Sequence, residues 1–246
     1  MKNIYIVGAQ CTGKTTLVNA LEEHFTSNES GDLSHKPIII RELARTVLKE
    51  KGFSREDLMS PHRALQLQQH ILDAQLQAEI SVKADEPSGW YICDRSGLDP
   101  IVYAQVLVGS SAAENMLASD AWQKLEHKMK SGVVVLCEAG CTWLVDDGVR
   151  LMPRELDEWM RVDAAFRELL RARGIPFTVI SKDVISMPER VKKVQEAIRF
   201  GCSNGQEGPQ PGQTGLSTRA NGGGQCAADA SETVLKGNEC HAEPCP

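Results

Sequence analysis

Four apolar residues, Ile4-Tyr5-Ile6-Val7, run directly into Gly8-Ala9-Gln10-Cys11-Thr12-Gly13-Lys14-Thr15, and this junction constrains the fold more than any other stretch of the chain. The octapeptide has glycine, four residues, glycine, lysine and threonine in the spacing of a P-loop. Its glycines let the backbone curl until consecutive N–H groups point into one concavity, which suits an anion. Leu17, Val18, Leu21 and Phe25 then recur at helical spacing from about Lys14 to Thr26. A helix there adds its N-terminal dipole to the same concavity. Lys14 supplies a mobile cation and Thr15 an oxygen for Mg²⁺, so the segment predicts a nucleoside triphosphate held through its phosphates. The residues expected to touch it are Gly8, Ala9, Gln10, Cys11, Thr12, Gly13, Lys14, Thr15 and Thr16.

Further apolar runs suggest strands at Pro37 to Arg41, Trp90 to Asp94, Val133 to Cys137 and Phe177 to Ser181, in addition to Asn3 to Val7. Helical patterns separate them. One begins near Glu42, and another starts at Ser60-Pro61 and reaches about Ala84, with Leu65, Leu72, Leu76 and Ile80 near one face. Others cover about Asp99 to Val108, Ala113 to Lys130, Arg154 to Arg173 and Met187 to Phe200. Short apolar strands alternating with helices predict an α/β fold of the P-loop nucleoside triphosphate hydrolase type, with a five-stranded parallel sheet covered on both faces.

Beyond about Gly201 the chain turns to Gly, Gln, Ser, Asn and Pro, including Gly222-Gly223-Gly224, and loses its apolar period. Such a segment buries too little to offset its ordering entropy, so the sequence divides into a folded region 1–200 and a disordered tail 201–246. Cys240, His241 and Cys245 in the tail do not match zinc-ligand spacing. The net charge of −6 disfavours a broad grip on nucleic acid, while a small anionic ligand needs only a local pocket. No stretch approaches the length of a membrane span, and the first apolar run is too short for a signal peptide. Of the eight cysteines, Cys93 and Cys137 fall in strand-like runs. That pattern reads as reduced thiols in the cytosol.

Ligands of open parallel sheets gather where the strands end at their carboxyl side, which directs attention to the residues just after each strand. Asp94-Arg95-Ser96 follows the third. Asp94 is placed to hold Mg²⁺ or to take a proton from an attacking hydroxyl, and Arg95 to touch a phosphate. Their structural alternatives are a helix cap and an ion pair. Arg41-Glu42-Leu43-Ala44-Arg45 follows the second strand, and Glu42 with Arg45 could meet an acceptor hydroxyl and its neighbouring charge, or form a solvated helical ion pair. After the fourth strand come Glu138-Ala139-Gly140, then Asp146-Asp147-Gly148-Val149-Arg150 and Arg154. A loop with these arginines is expected to close over a triphosphate, with Arg150 acting on the developing charge and Arg154 on the acceptor. Gln68 and Gln69 could reach a base, though a helix surface is their simpler place.

Together the P-loop, Glu42-Leu43-Ala44-Arg45, Asp94-Arg95-Ser96, the Asp-Asp-Gly-x-Arg run and Gly174-Ile175-Pro176-Phe177-Thr178-Val179-Ile180 resemble the kinase domain of NadR-type nicotinamide riboside kinases and the wider group of NadR-like AAA domains. The likeness covers about residues 1–200. It implies a nucleoside-kinase-like core, Mg-ATP as donor, ATP and Mg²⁺ as cofactors, and transfer of the γ-phosphoryl to a small hydroxyl acceptor such as a nucleoside or nicotinamide riboside. Lys14, Asp94, Arg95 and Arg150 would then be catalytic, Glu42, Arg45 and Arg154 would face the acceptor, and Thr15 with Asp94 would hold the metal. The family tends to Asp-Thr-Asp where this chain has Asp94-Arg95-Ser96, which is closer to deoxynucleoside and thymidylate kinases and leaves the acceptor open. The other reading is an ATP- or GTP-binding regulatory module acting through a protein partner. Neither reading calls for nucleic acid or a membrane, and the oligomeric state is left open.

Overall fold

Five parallel strands form one sheet in the order β2-β3-β1-β4-β5, with β1 at Ile4–Val7, β2 at Ile38–Ile40, β3 at Tyr91–Asp94, β4 at Val133–Cys137 and β5 at Phe177–Ile180. The computed structural model describes residues 1–27, 36–54, 56–82, 89–141 and 156–201, all within one compact unit, Met1–Gly208. Of the expected tail, 201–246, all but Gly201 lies outside the described residues.

Because a strand alternates its side chains, each strand here feeds two cores. Tyr5, Val7, Tyr91, Cys93, Val134, Leu136 and Phe177 point to one face. Ile4, Ile6, Ile92, Val135, Cys137 and Ile180 point to the other. The first face is covered by α3 (Pro61–Ser81), α4 (Leu98–Leu107), α5 (Ser110–Leu117), α6 (Asp120–Ser131) and α7 (Leu156–Ala172). The second is covered by α1 (Lys14–Ser27) and α8 (Met187–Phe200), through Leu17, Val18, Leu21, Val194 and Ala197. A short α2 (Ala44–Glu50) and a 3-10 turn (Glu56–Met59) lead into α3.

Three sequence expectations need correction. The helix expected over Ala113 to Lys130 is two helices, because α5 stops at Leu117 and the Ser119 hydroxyl accepts the Trp122 N–H to start α6. Glu42 precedes α2, which opens at Ala44, instead of lying within it. Ile80 is 53% exposed, and the buried face of α3 carries Gln68, Gln75 and Glu79 beside Leu72 and Leu76. Gln75 and Glu79 are inside because their hydrogen-bond partners are inside. The Tyr5 and Tyr91 hydroxyls both donate to the Glu79 carboxylate, at 3.1 and 2.7 Å, and Gln75 donates to its other oxygen at 3.0 Å. Gln69, in contrast, is exposed as expected.

Candidate functional site

Strand order and register build the site. With β1 central and β3 beside it, Ile6 pairs with Asp94, so the last residue of β3 lies level with the entry to the P-loop. Strand alternation puts Asp94 on the same face as Ile92, the face covered by α1. Thr15, the second residue of α1, donates its hydroxyl to Asp94 Oδ2 at 2.7 Å. Asp94 is 2% exposed.

The loop between them needs its glycines. Gly8 has φ +132°, and a Cβ there would lie 2.5 Å from the Cys137 carbonyl oxygen of β4, so no side chain fits. Gly13 at φ +77° and Cys11 at +59° complete the curl. Lys14 is buried and donates to the Ala9 carbonyl, with the Thr12 hydroxyl 3.4 Å away. Burial, followed by the neighbouring Arg95 charge, lowers the Lys14 pKa from 10.5 to about 8.

Arg95 turns sharply from the strand at φ +89°. Its Nε donates to Glu42 Oε1 at 2.8 Å and its Nη1 to Asp99 Oδ1 at 3.3 Å, so its ion pairs run to these two carboxylates and not to Asp94. Asp99 in turn accepts from the Ser96 N–H and hydroxyl, at 2.8 and 2.9 Å. Glu42 also meets Arg45 Nε at 3.4 Å. Burial pushes the Glu42 carboxyl up, and Arg95, then Arg45 and Lys14, more than reverse this, leaving it ionised below its ordinary value. Gln10 through Thr16, Glu42, Arg45, Asp94 and Arg95 line a single cleft. Gly8 and Ala9 sit beneath it, Gly8 against β4 and Ala9 fully buried. Arg150 and Arg154 lie outside the described residues. Glu138 stands apart, bound to Arg167 Nη2 at 2.9 Å and to the Lys182 N–H at 3.0 Å.

Two hard oxygen donors, the Thr15 hydroxyl and the Asp94 carboxylate, stand side by side in this cleft and fit the ligand preference of Mg²⁺. Among the described residues no group of three or more His, Cys, Asp or Glu residues is arranged to hold a metal. Sequence periodicity did not reveal several residues that shape the cleft. Tyr103 donates to Gln10 Oε1 at 2.7 Å, Trp159 Nε1 to the Gln10 carbonyl at 2.8 Å, and Arg190 Nη2 to the Thr12 carbonyl at 2.8 Å. The signal available for Arg190 was its phase, since it shares the buried stripe of α8 with Val194 and Ala197.

A parallel sheet in this order, with a phosphate-type loop after its central strand and a carboxylate beside it, defines a P-loop domain of nucleoside-kinase-like fold. Residues 3–190 match the AAA domain family, and the chain belongs to that family. Deoxyadenosine kinase from M. mycoides with bound dCTP is similar in structure, with a TM-score of 0.58 and 14% identity over 81% of this chain and 100% of that one. The same enzyme with dCMP and a flexible dCDP gives 0.53 and 12% identity, over 81% and 99%. NadR in complex with NR gives 0.56 and 17% identity over 80% of this chain, which spans 51% of NadR. At these identities the likeness is one of fold. No curated protein matches the sequence. No described helix is long and apolar enough to cross a membrane.

Proposed function

We propose that this domain transfers the γ-phosphoryl group of Mg-ATP to a hydroxyl of a small, nucleoside-like acceptor. The observation that carries this reading is the presence of two separate carboxylates over one P-loop, each with its own partner. Asp94 is bonded to the P-loop hydroxyl of Thr15, and Glu42 is held ionised by Arg95 on the other side of the cleft. A hydrolytic switch needs only the first. A transferase also needs a base that can reach an acceptor, and Glu42 supplies one.

In this reading Lys14 and the P-loop N–H groups hold the phosphates, while Thr15 and Asp94 hold Mg²⁺, which neutralises charge on the phosphoryl oxygens when bound. Glu42 accepts the proton of the acceptor hydroxyl as that oxygen bonds to the γ-phosphorus and the bond to the leaving ADP breaks. Arg95 keeps Glu42 aimed and faces the transferring group, and Arg45 faces the acceptor. Arg150 and Arg154 would add cationic closure over the triphosphate. The fold relatives that hold dCTP, dCMP and NR support a nucleoside-like acceptor.

The test is ADP release from ATP with and without a panel of nucleosides that includes deoxyadenosine and nicotinamide riboside. Release that depends on one of them, with a phosphorylated product, is the expected result. Slow ADP release that no acceptor accelerates would replace this reading with the regulatory module.

A further inference from the structure

A peptide unit is planar and trans, so its C=O and its N–H point in opposite directions. A loop that turns N–H groups toward an anion therefore turns carbonyls outward, and each outward carbonyl that is buried requires a donor. The donors for this P-loop come from distant parts of the chain. Trp159, in the first turn of α7 and 4% exposed, donates its indole N–H to the Gln10 carbonyl at 2.8 Å. Arg190, in the first turn of α8 and 3% exposed, donates to the Thr12 carbonyl at 2.8 Å. The other ends of these two peptide units are the N–H groups of Cys11 and Gly13, residues that line the cleft. A third carbonyl, that of Ala9, is served from within the loop by Lys14 and Thr12. Lys14 must leave it to reach a phosphate, whereas the Trp159 and Arg190 bonds do not depend on Lys14.

We propose that Trp159 and Arg190 are positioning residues for the triphosphate, acting through the Gln10 and Thr12 carbonyls to hold the Cys11 and Gly13 N–H groups toward the anion. Arg190 contributes beyond orientation. A cation on the carbonyl end of a peptide polarises it and makes the opposite N–H a stronger donor. A buried guanidinium is costly, and the apolar stripe it shares with Val194 and Ala197 would accept a methionine more cheaply, so packing alone does not account for it. This inference rests on the reading of the cleft as a triphosphate site, but not on the identity of the acceptor.

The test uses the full chain and measures equilibrium binding of ADP and of inorganic tripolyphosphate to the wild type, Trp159→Phe, Arg190→Met and Arg190→Lys, each with its melting temperature. Trp159→Phe keeps the ring and removes the donor, and it should weaken both probes about fivefold, the scale of one neutral hydrogen bond. Arg190→Met should weaken both by about tenfold or more, with partial recovery in Arg190→Lys, because a charged donor is lost. Equal losses for the two probes are expected, since the bonds act on the phosphate grip. Wild-type affinity in Trp159→Phe, or a loss confined to ADP, overturns the proposal. Should Arg190→Met fail to fold, Trp159→Phe decides alone. A wild-type chain that binds neither probe removes the triphosphate reading itself, a failure that is separate from the first.

Discussion

Thr15 and Asp94 are 79 positions apart, yet one hydroxyl proton lies between them. In the proposed function both serve the metal, so either loss should appear first as altered Mg²⁺ use. Thr15→Ala is expected to raise the Mg²⁺ concentration for half-maximal turnover. Asp94→Asn keeps the shape, preserves nucleotide binding and lowers phosphoryl transfer by about 10²-fold or more. Calorimetry with ADP and single-turnover transfer at several Mg²⁺ concentrations separate the two effects. An Asp94→Asn chain with wild-type transfer would remove Asp94 from the metal site and leave Glu42 as the carboxylate that transfer needs, because Glu138 is committed to Arg167 and the Lys182 N–H. A second residue-scale prediction concerns Glu79, whose carboxyl burial pushes up despite donors from Gln75 and Tyr91, the Lys128 charge and the Tyr5 hydroxyl. The folded chain therefore binds this proton more tightly than the unfolded chain. Its contribution to stability is complete below the unfolded value of 4.5 and declines as pH rises through the higher folded value. Glu79→Gln should remove that decline, so its melting temperature relative to wild type rises between pH 4.5 and 7.5. The expected change is on the order of 2–4 °C for each kcal/mol of linked stability. A pH-independent difference would show that Glu79 binds its proton equally well in the folded and unfolded chains.

At the scale of elements, the junctions between strands and helices carry most of the specific information. The turn from β1 into the P-loop depends on Gly8, where both φ and the β4 carbonyl exclude a side chain. Gly8→Ala should cost at least about 2 kcal/mol and weaken nucleotide binding, because the whole loop must shift away from β4. Melting temperature and ADP affinity check this, and a fully stable variant with unchanged affinity would contradict the close approach. The break between α5 and α6 is held more lightly. Ser119→Ala removes the cap of α6 and should cost about 1 kcal/mol without affecting nucleotide affinity, since no residue of α6 lines the cleft. Capping explains why one expected helix is two: apolar spacing runs on through Ala113 to Lys130, and the Ser119 hydroxyl, donating to the Met116 carbonyl and accepting the Trp122 N–H, marks the interruption.

At the scale of the molecule, residues 201–246 are expected to add little to the folded unit. Their removal should leave the melting temperature within about 2 °C and ADP affinity unchanged, because a Gly- and Pro-rich segment buries too little surface to offset its ordering entropy. A large fall in melting temperature would mean that the segment docks. The sequence by itself determined the layers of the fold, since strand alternation, helical spacing and a glycine-bounded phosphate loop are local patterns that do not depend on partners. It also placed Lys14, Thr15, Glu42 and Asp94 at strand ends, which the strand order then gathered into one cleft. What only the tertiary structure decided is which of these residues face each other. Sheet register set Asp94 against Thr15, and the positive φ at Arg95 accompanied its pairing with Glu42 and Asp99. Periodicity placed Trp159 within the helical pattern of Arg154 to Arg173 without marking its indole N–H, and passed over Arg190 and Glu79, because a buried polar group is decided by a partner far along the chain. Arg190 and its carbonyl partner Thr12 are 178 positions apart, a pairing that local spacing does not encode.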